Sequence, residues 1–175
     1  MESLEGSMAV SEFEEAYQDA VEPREAIFEQ PLGSVPRREL LVVPAFASVA
    51  EAIDLMNERH VGCVVVTSGE RLVGIFTERD VLTKIAGLGN DPRETPLDAV
   101  MTRDPETLPE SASIAYALRQ MTDEGYRHVP LVDERYRPVG VVGLRDIVAW
   151  IVDLFPARLL NLPPVPGYPH DSDGG

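Results

Sequence analysis

The sequence predicts a mixed α/β protein, of α+β type, built from two copies of one strand-helix-strand-strand-helix unit. A shift of 65 residues, which increases to 66 after a turn, aligns identical residues of the segments 31–90 and 91–155. A strand-to-helix junction of the form Gly-x-x-x-x-Arg-Asp occurs at Gly74–Asp80 and again at Gly140–Asp146. Chance does not maintain such a register over both windows, so each segment is expected to fold as one copy of the same unit.

The first 30 residues form an acidic extension with nine acids and one base, a net charge of −8. A capping box of the form S-x-x-E at Ser11–Glu14, followed by apolar residues at helical spacing, predicts an amphipathic helix over residues 11–21. Pro23 ends this helix, which resumes over residues 24–29. The helix packs on the body of the chain or docks on another subunit, and the sequence leaves both alternatives open.

Each repeat opens with a short extended segment that ends at a proline, Pro44 or Pro109. A helix follows, because Ser48 and Ser113 are favourable N-cap residues; Glu51 completes a capping box after Ser48. Helical spacing predicts which side chains these two helices bury: Val49, Ala52, Ile53 and Met56, matched by Ile114, Ala117, Leu118 and Met121.

Two strands joined by a turn and a final helix complete each repeat. The predicted strands are Cys63–Val66 and Arg71–Phe76 in the first copy, and His128–Val132 and Arg137–Val142 in the second. The final helices run over residues 78–88 and 144–154. Beyond them, the proline-rich residues 156–175 are expected to form a flexible tail.

Composition excludes several classes of function. The net charge of −15 argues against binding to nucleic acid or to an anionic membrane, because both require cationic surfaces. The acidic extension carries −8 of this charge, so a locally basic pocket for an anionic nucleotide is not excluded. Cys63 is the only cysteine, and the sequence contains neither a basic signal-peptide region nor an uninterrupted apolar run long enough to span a membrane. We therefore expect a reducing, cytoplasmic location.

No catalytic constellation is present in the sequence. It contains no nucleophile elbow, no phosphate-binding loop of the Walker type and no set of metal ligands at diagnostic spacing. We therefore expect the protein not to be an enzyme, and we expect neither catalytic residues nor a metal site. A small enzyme that uses a cleft between the repeats is a weaker alternative, because nothing in the sequence motivates turnover.

Three motifs relate the two copies to a known family: Met101-Thr-Arg-Asp-Pro, Tyr126–Asp133 and Val73–Asp80. They resemble the motifs of a tandem pair of CBS (cystathionine β-synthase) domains. The resemblance implies two βαββα units packed through their sheets with pseudo-twofold symmetry, which assemble into disc-like homodimers. It also implies clefts between the repeats for an adenosyl ligand: AMP, ADP or ATP, ahead of S-adenosylmethionine or NAD, with no obligatory cofactor.

Seven residues are predicted to contact the ligand. The family uses the aspartate of the junction to hold a ribose, and a helix N-terminus suits phosphate. One cleft is predicted to contain Thr77, Arg79 and Asp80. The other is predicted to contain Arg127, His128, Arg145 and Asp146, because basic side chains before this strand reach the phosphates in nucleotide-binding members of the family. An apolar slot for adenine is expected among Val43, Val64, Ile75, Leu108, Val129 and Val141.

Structural explanations compete with these functional ones. Thr77 and Asp80 are spaced as a capping box, so Thr77 fits a cap as well as it fits a phosphate contact. Gly143 replaces the threonine in the second copy, which puts phosphate binding by that half-site in question. Asp146 is nevertheless present there, and ligand binding or the helix dipole would explain it.

The predicted function is a stand-alone, non-catalytic regulatory module that senses an adenine nucleotide and signals to a separate protein. The alternative is a ligand-independent scaffold for protein interaction that acts through the N-terminal helix. Neither the regulated partner nor the ligand follows from the sequence.

Overall fold

The computed structural model describes residues 26–154. Residues 26–29 are helical, at the place where the N-terminal helix was predicted to resume. The helix predicted over residues 11–21 and the proline-rich tail over residues 156–175 lie outside the described residues, so both stay predictions.

The predicted order of elements is confirmed, except that the leading extended segment of the second repeat forms only an isolated bridge at Leu108 instead of a strand. A 3-10 turn, Leu32–Ser34, opens the first copy. The first copy contains β1 (Val42–Pro44), α1 (Val49–Arg59), β2 (Cys63–Ser68), β3 (Arg71–Thr77) and α2 (Glu78–Asp80), which continues as a π-helix over Val81–Ala86. The second copy contains α3 (Leu97–Val100), β4 (Thr102–Arg103), α4 (Ile114–Glu124), β5 (His128–Val132), β6 (Pro138–Gly143) and α5 (Leu144–Asp153).

The helices α1 and α4 begin as predicted. The Glu51 N–H donates to Ser48 Oγ, and the Ser48 N–H donates to the Glu51 carboxylate at 2.8 Å. Ser113 caps α4 in the same way by accepting from the Tyr116 N–H. Of the predicted core positions, Val49, Ala52, Met56, Ile114, Ala117 and Met121 are buried. Ile53 and Leu118 pack at the margins of the two cores.

The strands form two sheets of unequal size. The first has the order β1-β2-β3-β4, with β1 parallel to β2 and the other neighbours antiparallel. The second contains β5 and β6, and a parallel bridge between Leu108 and Leu131 occupies the position equivalent to β1.

The leading segment of each repeat packs on the other repeat. The Leu97 N–H donates to the Ala47 carbonyl at 2.9 Å, and the Leu32 N–H donates to the Ala112 carbonyl at 2.9 Å. These two contacts are related by the 65-residue shift of the sequence. Strand β4 continues the exchange, because it belongs to the second copy but pairs with β3 of the first.

The exchange also completes the two hydrophobic cores. Leu97, Val100 and Met101 from the second copy are buried in the core of the first. Leu32 and Val35, from the leading segment of the first copy, are buried in the core of the second. Because each core contains residues from both copies, the two copies form a single packed unit with pseudo-twofold symmetry. No helix within residues 26–154 is long and apolar enough to cross a membrane.

Candidate ligand-binding clefts

Two clefts open between the repeats, and each contains one of the two predicted strand-to-helix junctions. The Asp80 cleft has a volume of about 640 Å³ and contains the end of β3 and the start of α2. The Asp146 cleft has a volume of about 690 Å³ and contains the end of β6 and the start of α5. Both volumes fall in the range of small-molecule sites.

Equivalent segments build the two clefts, because the repeats are related by pseudo-twofold symmetry. In the Asp80 cleft the junction faces the segment 102–106, which crosses over from the second copy, and the segment 124–128 before β5. In the Asp146 cleft the junction faces Arg38, Glu39 and Leu41 together with the segment 60–63 before β2. The crossover of the leading segments therefore supplies one wall of each cleft.

Arg127 and His128 line both clefts. The sequence predicted them in the Asp146 cleft alone, but the start of β5 packs against Gly62, which also lines both clefts. A Cβ atom at Gly62 would lie 3.3 Å from His128 Cε1, so the glycine allows this close approach. The two clefts consequently share these two side chains rather than dividing them.

The half-buried His128 side chain is surrounded by charged groups of both repeats. Burial lowers the pKa of the His128 imidazole, with a smaller contribution in the same direction from Arg127 and Arg38. Asp146 and Glu78 oppose this shift because their carboxylates favour the charged imidazole. The net shift favours the neutral imidazole of His128, which lines both clefts.

Asp80 is fully engaged in structural contacts. Its Oδ2 accepts from the Thr77 N–H at 2.9 Å and from the Thr77 hydroxyl at 2.7 Å. Its Oδ1 lies 2.7 Å from Lys84 Nζ, and the side chain is 9% exposed. The capping-box explanation of Thr77 and Asp80 thus accounts for their geometry, and a ribose would have to displace some of these contacts.

Asp146 is the more accessible of the two equivalent aspartates. Its Oδ2 accepts from the Gly143 N–H at 3.0 Å, so it still caps α5 without a threonine partner. Its Oδ1 lies 3.9 Å from Arg38 Nε, and 23% of the side chain is exposed. The Asp146 Oδ1 therefore remains free to accept hydrogen bonds from a ligand hydroxyl.

The predicted arginines are exposed at the rims of the clefts. Arg79 lines the Asp80 cleft and donates to the Gly125 carbonyl at 3.3 Å. Arg145 lines the Asp146 cleft, beside Arg127. Their guanidinium groups can turn toward a phosphate, because long exposed side chains are free to reorient.

Sequence reasoning missed three cations at these sites. Arg38 lines the Asp146 cleft and its equivalent, Arg103, lines the Asp80 cleft. The 65-residue shift aligns Arg38 with Arg103, and this identity could have marked both positions. Only the crossing of the leading segments, however, brings each arginine to a cleft. Lys84 follows Asp80 by four residues, a spacing that favours ion pairs on a helix and could have indicated its partner.

Only two of the six apolar residues that were expected to form the adenine slot line a cleft. Ile75 lines the Asp80 cleft and Val141 lines the Asp146 cleft, while Val43, Val64, Leu108 and Val129 are core residues. Cys63 is buried as expected for a small hydrophobe. Burial, Asp146 and Glu78 raise the pKa of its thiol to about 12, so it stays protonated. Within residues 26–154, no cluster of His, Cys, Asp and Glu is arranged to hold a metal ion.

Comparison with known proteins identifies the same two repeats. The family model described as CBS domain matches residues 32–87 and 97–153. A 17.7 kDa protein of Acidianus ambivalens is 30% identical over 124 residues, which cover 70% of this chain and 74% of that protein. Across three curated relatives, the chain spans between 20% and 74% of their own length.

Solved structures share the fold. A conserved protein of Pyrococcus horikoshii matches with a TM-score of 0.66 and 28% identity, over 71% of this chain and 93% of that one. A CBS domain pair solved in complex with 5′-methylthioadenosine and S-adenosyl-L-methionine matches with a TM-score of 0.63 and 21% identity, over 70% and 99% of the two chains.

Proposed function

Because this chain belongs to the CBS domain family, we propose that it is a non-catalytic regulatory module that senses an adenosyl ligand and signals to a separate protein. The observation that carries this proposal is the pair of equivalent clefts, each with an aspartate at a helix start and arginines on facing walls. AMP, ADP and ATP are the first candidates, followed by S-adenosylmethionine and NAD.

The Asp146 cleft contains the groups that a nucleotide requires. The free oxygen of Asp146 is an acceptor for ribose hydroxyls. Arg38, Arg127 and Arg145 line the same cleft, and planar guanidinium groups suit phosphate oxygens. Leu41, Val61 and Val141 provide apolar surface for a base.

The similar CBS domain pair with bound 5′-methylthioadenosine and S-adenosyl-L-methionine supports an adenosyl moiety as the common feature of the ligand. At 21% identity that protein shares only the fold with this chain, so it does not select the ligand. The choice must come from the polar and charged groups in the clefts of this chain.

Ligand binding can be transmitted because each cleft is built from both repeats. A ligand that contacts the β6–α5 junction and the segment 38–41 changes how firmly the second repeat holds the leading segment of the first. Such a ligand shifts the relative position of the repeats only as far as it binds one arrangement better than another. We propose that a partner protein detects this shift.

A homodimer is the assembly that we propose. Leu82, Val148 and Val152 are exposed on the last helices of the two repeats, and Val148 and Val152 lie one turn apart on α5. A second copy of the chain would cover these side chains. Light scattering after gel filtration should give twice the chain mass, and Val148→Glu should reduce it to the monomer mass.

Thermal unfolding in the presence of ligand tests the proposed function. AMP, ADP, ATP, NAD and S-adenosylmethionine would each be added at millimolar concentration. A ligand present at about 100 times its Kd stabilises the folded state by about 2.7 kcal/mol, which is a readily measured increase in Tm. If none of the five raises Tm, the sensing function is wrong.

The ligand-independent scaffold is then tested with the same protein. The predicted N-terminal helix would have to retain a partner equally well with and without nucleotide. Removal of residues 1–25 should abolish that retention. The cytoplasmic location also stays a prediction, supported by a single buried thiol.

A further inference from the structure

We propose that the two clefts take different classes of adenosyl ligand: the Asp146 cleft takes a phosphorylated ligand, and the Asp80 cleft takes one without net negative charge. This inference rests on the proposed function, because it assumes that the clefts bind adenosyl ligands. It is carried by the difference in charge between two otherwise equivalent sites.

The two clefts contain equal numbers of arginines but unequal numbers of acids. Three arginines line each cleft, and Arg127 is common to both. The Asp146 cleft has three acids: Glu39, Glu78 and Asp146. The Asp80 cleft has five: Glu78, Asp80, Asp104, Glu106 and Glu124. With neutral histidines, the lining charge is zero in the Asp146 cleft and −2 in the Asp80 cleft.

Ion pairs to neighbouring residues preserve this difference. Lys84 pairs with Asp80 and Arg59 lies 2.7 Å from Glu39. Neither cation lines a cleft, so each cleft has one acid whose charge is neutralised from outside. After these pairs are taken into account, the Asp146 cleft is positive by one charge and the Asp80 cleft is negative by one.

Two substitutions between the repeats produce the asymmetry. Glu106 occupies the position equivalent to Leu41, which is buried, and Glu124 occupies the position equivalent to Arg59. Since the surrounding backbone is related by pseudo-symmetry, these positions change the charge of the cleft without changing its architecture. A polyphosphate that entered the Asp80 cleft would lie close to the carboxylates of Glu106 and Glu124, and like charges repel each other.

Tyr126 lines the Asp80 cleft together with both acids. Burial raises the pKa of the Tyr126 phenol, and the negative charges of Glu106 and Glu124 contribute in the same direction. Tyr126 lines only the Asp80 cleft of the two, and its hydroxyl is buried without a hydrogen-bond partner among residues 26–154. This hydroxyl suits a neutral polar group, such as a ribose hydroxyl or a ring nitrogen.

Calorimetric titration with ATP and S-adenosylmethionine tests the assignment on the full chain. We expect one ATP per chain, and one S-adenosylmethionine per chain in protein that is already saturated with ATP. Glu106→Gln combined with Glu124→Gln should weaken S-adenosylmethionine binding about tenfold and admit a second ATP. Arg145→Gln should weaken the first ATP and leave S-adenosylmethionine binding to the Asp80 cleft unchanged.

A double variant with the same change in net charge provides the control. Glu94 and Glu134 are exposed and line neither cleft, so Glu94→Gln with Glu134→Gln should leave both titrations unchanged. Two equivalent ATP sites in the unmodified protein would overturn the assignment while leaving the sensing function intact. So would ATP-saturated protein that takes up no S-adenosylmethionine, or a Glu106 and Glu124 variant with unchanged binding. If neither ligand binds, the proposed function fails and this inference fails with it.

Discussion

Lys84 Nζ lies 2.7 Å from Asp80 Oδ1 and also donates to the Val100 carbonyl at 2.7 Å. One ammonium group therefore neutralises the buried aspartate of the first junction and ties that helix to α3, which belongs to the second repeat. The aspartate that the family motif associates with ligand is, in this chain, held inside the junction between the repeats.

Lys84→Gln should destabilise the protein. The substitution leaves the Asp80 carboxylate buried without its cation, which is unfavourable even though Lys84 itself is partly exposed. We expect the free energy of unfolding, measured by urea denaturation, to fall by about 1–2 kcal/mol. Arg119→Gln breaks an exposed pair at the same i,i+4 spacing and should change stability by less than about 0.5 kcal/mol. Equal effects of the two variants would contradict this role of Lys84.

Asp146→Asn should weaken ATP binding more than Asp80→Asn does. Asp146 has an oxygen available to a ribose, whereas both oxygens of Asp80 are occupied by Thr77 and Lys84. Loss of a charged hydrogen-bond acceptor corresponds to about 1.5–3 kcal/mol, or roughly tenfold or more in Kd. Calorimetry gives the affinities, and Asp123→Asn, on the exposed end of α4, is the control. A larger loss in the Asp80 variant would reverse the assignment of the nucleotide site.

Gly74→Ala should be more harmful than the equivalent Gly140→Ala. A Cβ atom at Gly74 would clash with the Met101 side chain and lie 3.1 Å from the Thr102 carbonyl of the crossing strand. At Gly140 the new atom would meet only the Arg37 side chain, which can move. We expect a loss of about 1–3 kcal/mol for Gly74→Ala and clearly less for Gly140→Ala, by urea denaturation. Gly33→Ala makes only ordinary contacts and serves as the reference.

Leu97→Ala should destabilise the first repeat although Leu97 belongs to the second in sequence. Its side chain is fully buried in the first core, so truncation removes apolar contacts and leaves a cavity. We expect a loss of about 2–5 kcal/mol in a single cooperative transition, with Leu32→Ala giving a similar loss. The exposed Leu88→Ala should have little effect. Two separate unfolding transitions would show that the copies do not depend on each other.

Stability should decrease as the pH falls through the titration of His128. Burial lowers the pKa of His128 in the folded state below the ordinary value of 6.5, so the unfolded chain binds the proton first. The contribution is fully present above pH 6.5 and is lost as the pH falls toward the lowered pKa. His128→Asn should therefore reduce the loss of unfolding free energy between about pH 8 and pH 5.5. An unchanged loss in the His128 variant would contradict this contribution.

The sequence predicted the repeat, its element order and the caps of α1 and α4. It also predicted that the two Gly-x-x-x-x-Arg-Asp junctions are equivalent, and the Asp80 and Asp146 clefts are indeed built around them. It did not predict that Arg127 and His128 face both clefts, since this depends on the close approach of Gly62 to His128. Nor did it assign Arg38 or Glu106 to a cleft, because both arrive on segments that cross between the repeats.

Local chemistry is what the sequence determined by itself. Helical spacing, N-cap residues such as Ser48, and strand patterns act over a few neighbouring residues, so they can be recognised without knowledge of the fold. Only the tertiary structure decided which repeat each leading segment completes, and therefore which charges share a cleft. Leu97 and Val100 are buried in the core of the first repeat, where they pack with residues that are distant from them in the sequence. No local pattern encodes that pairing, because its favourable free energy arises from burial between distant segments.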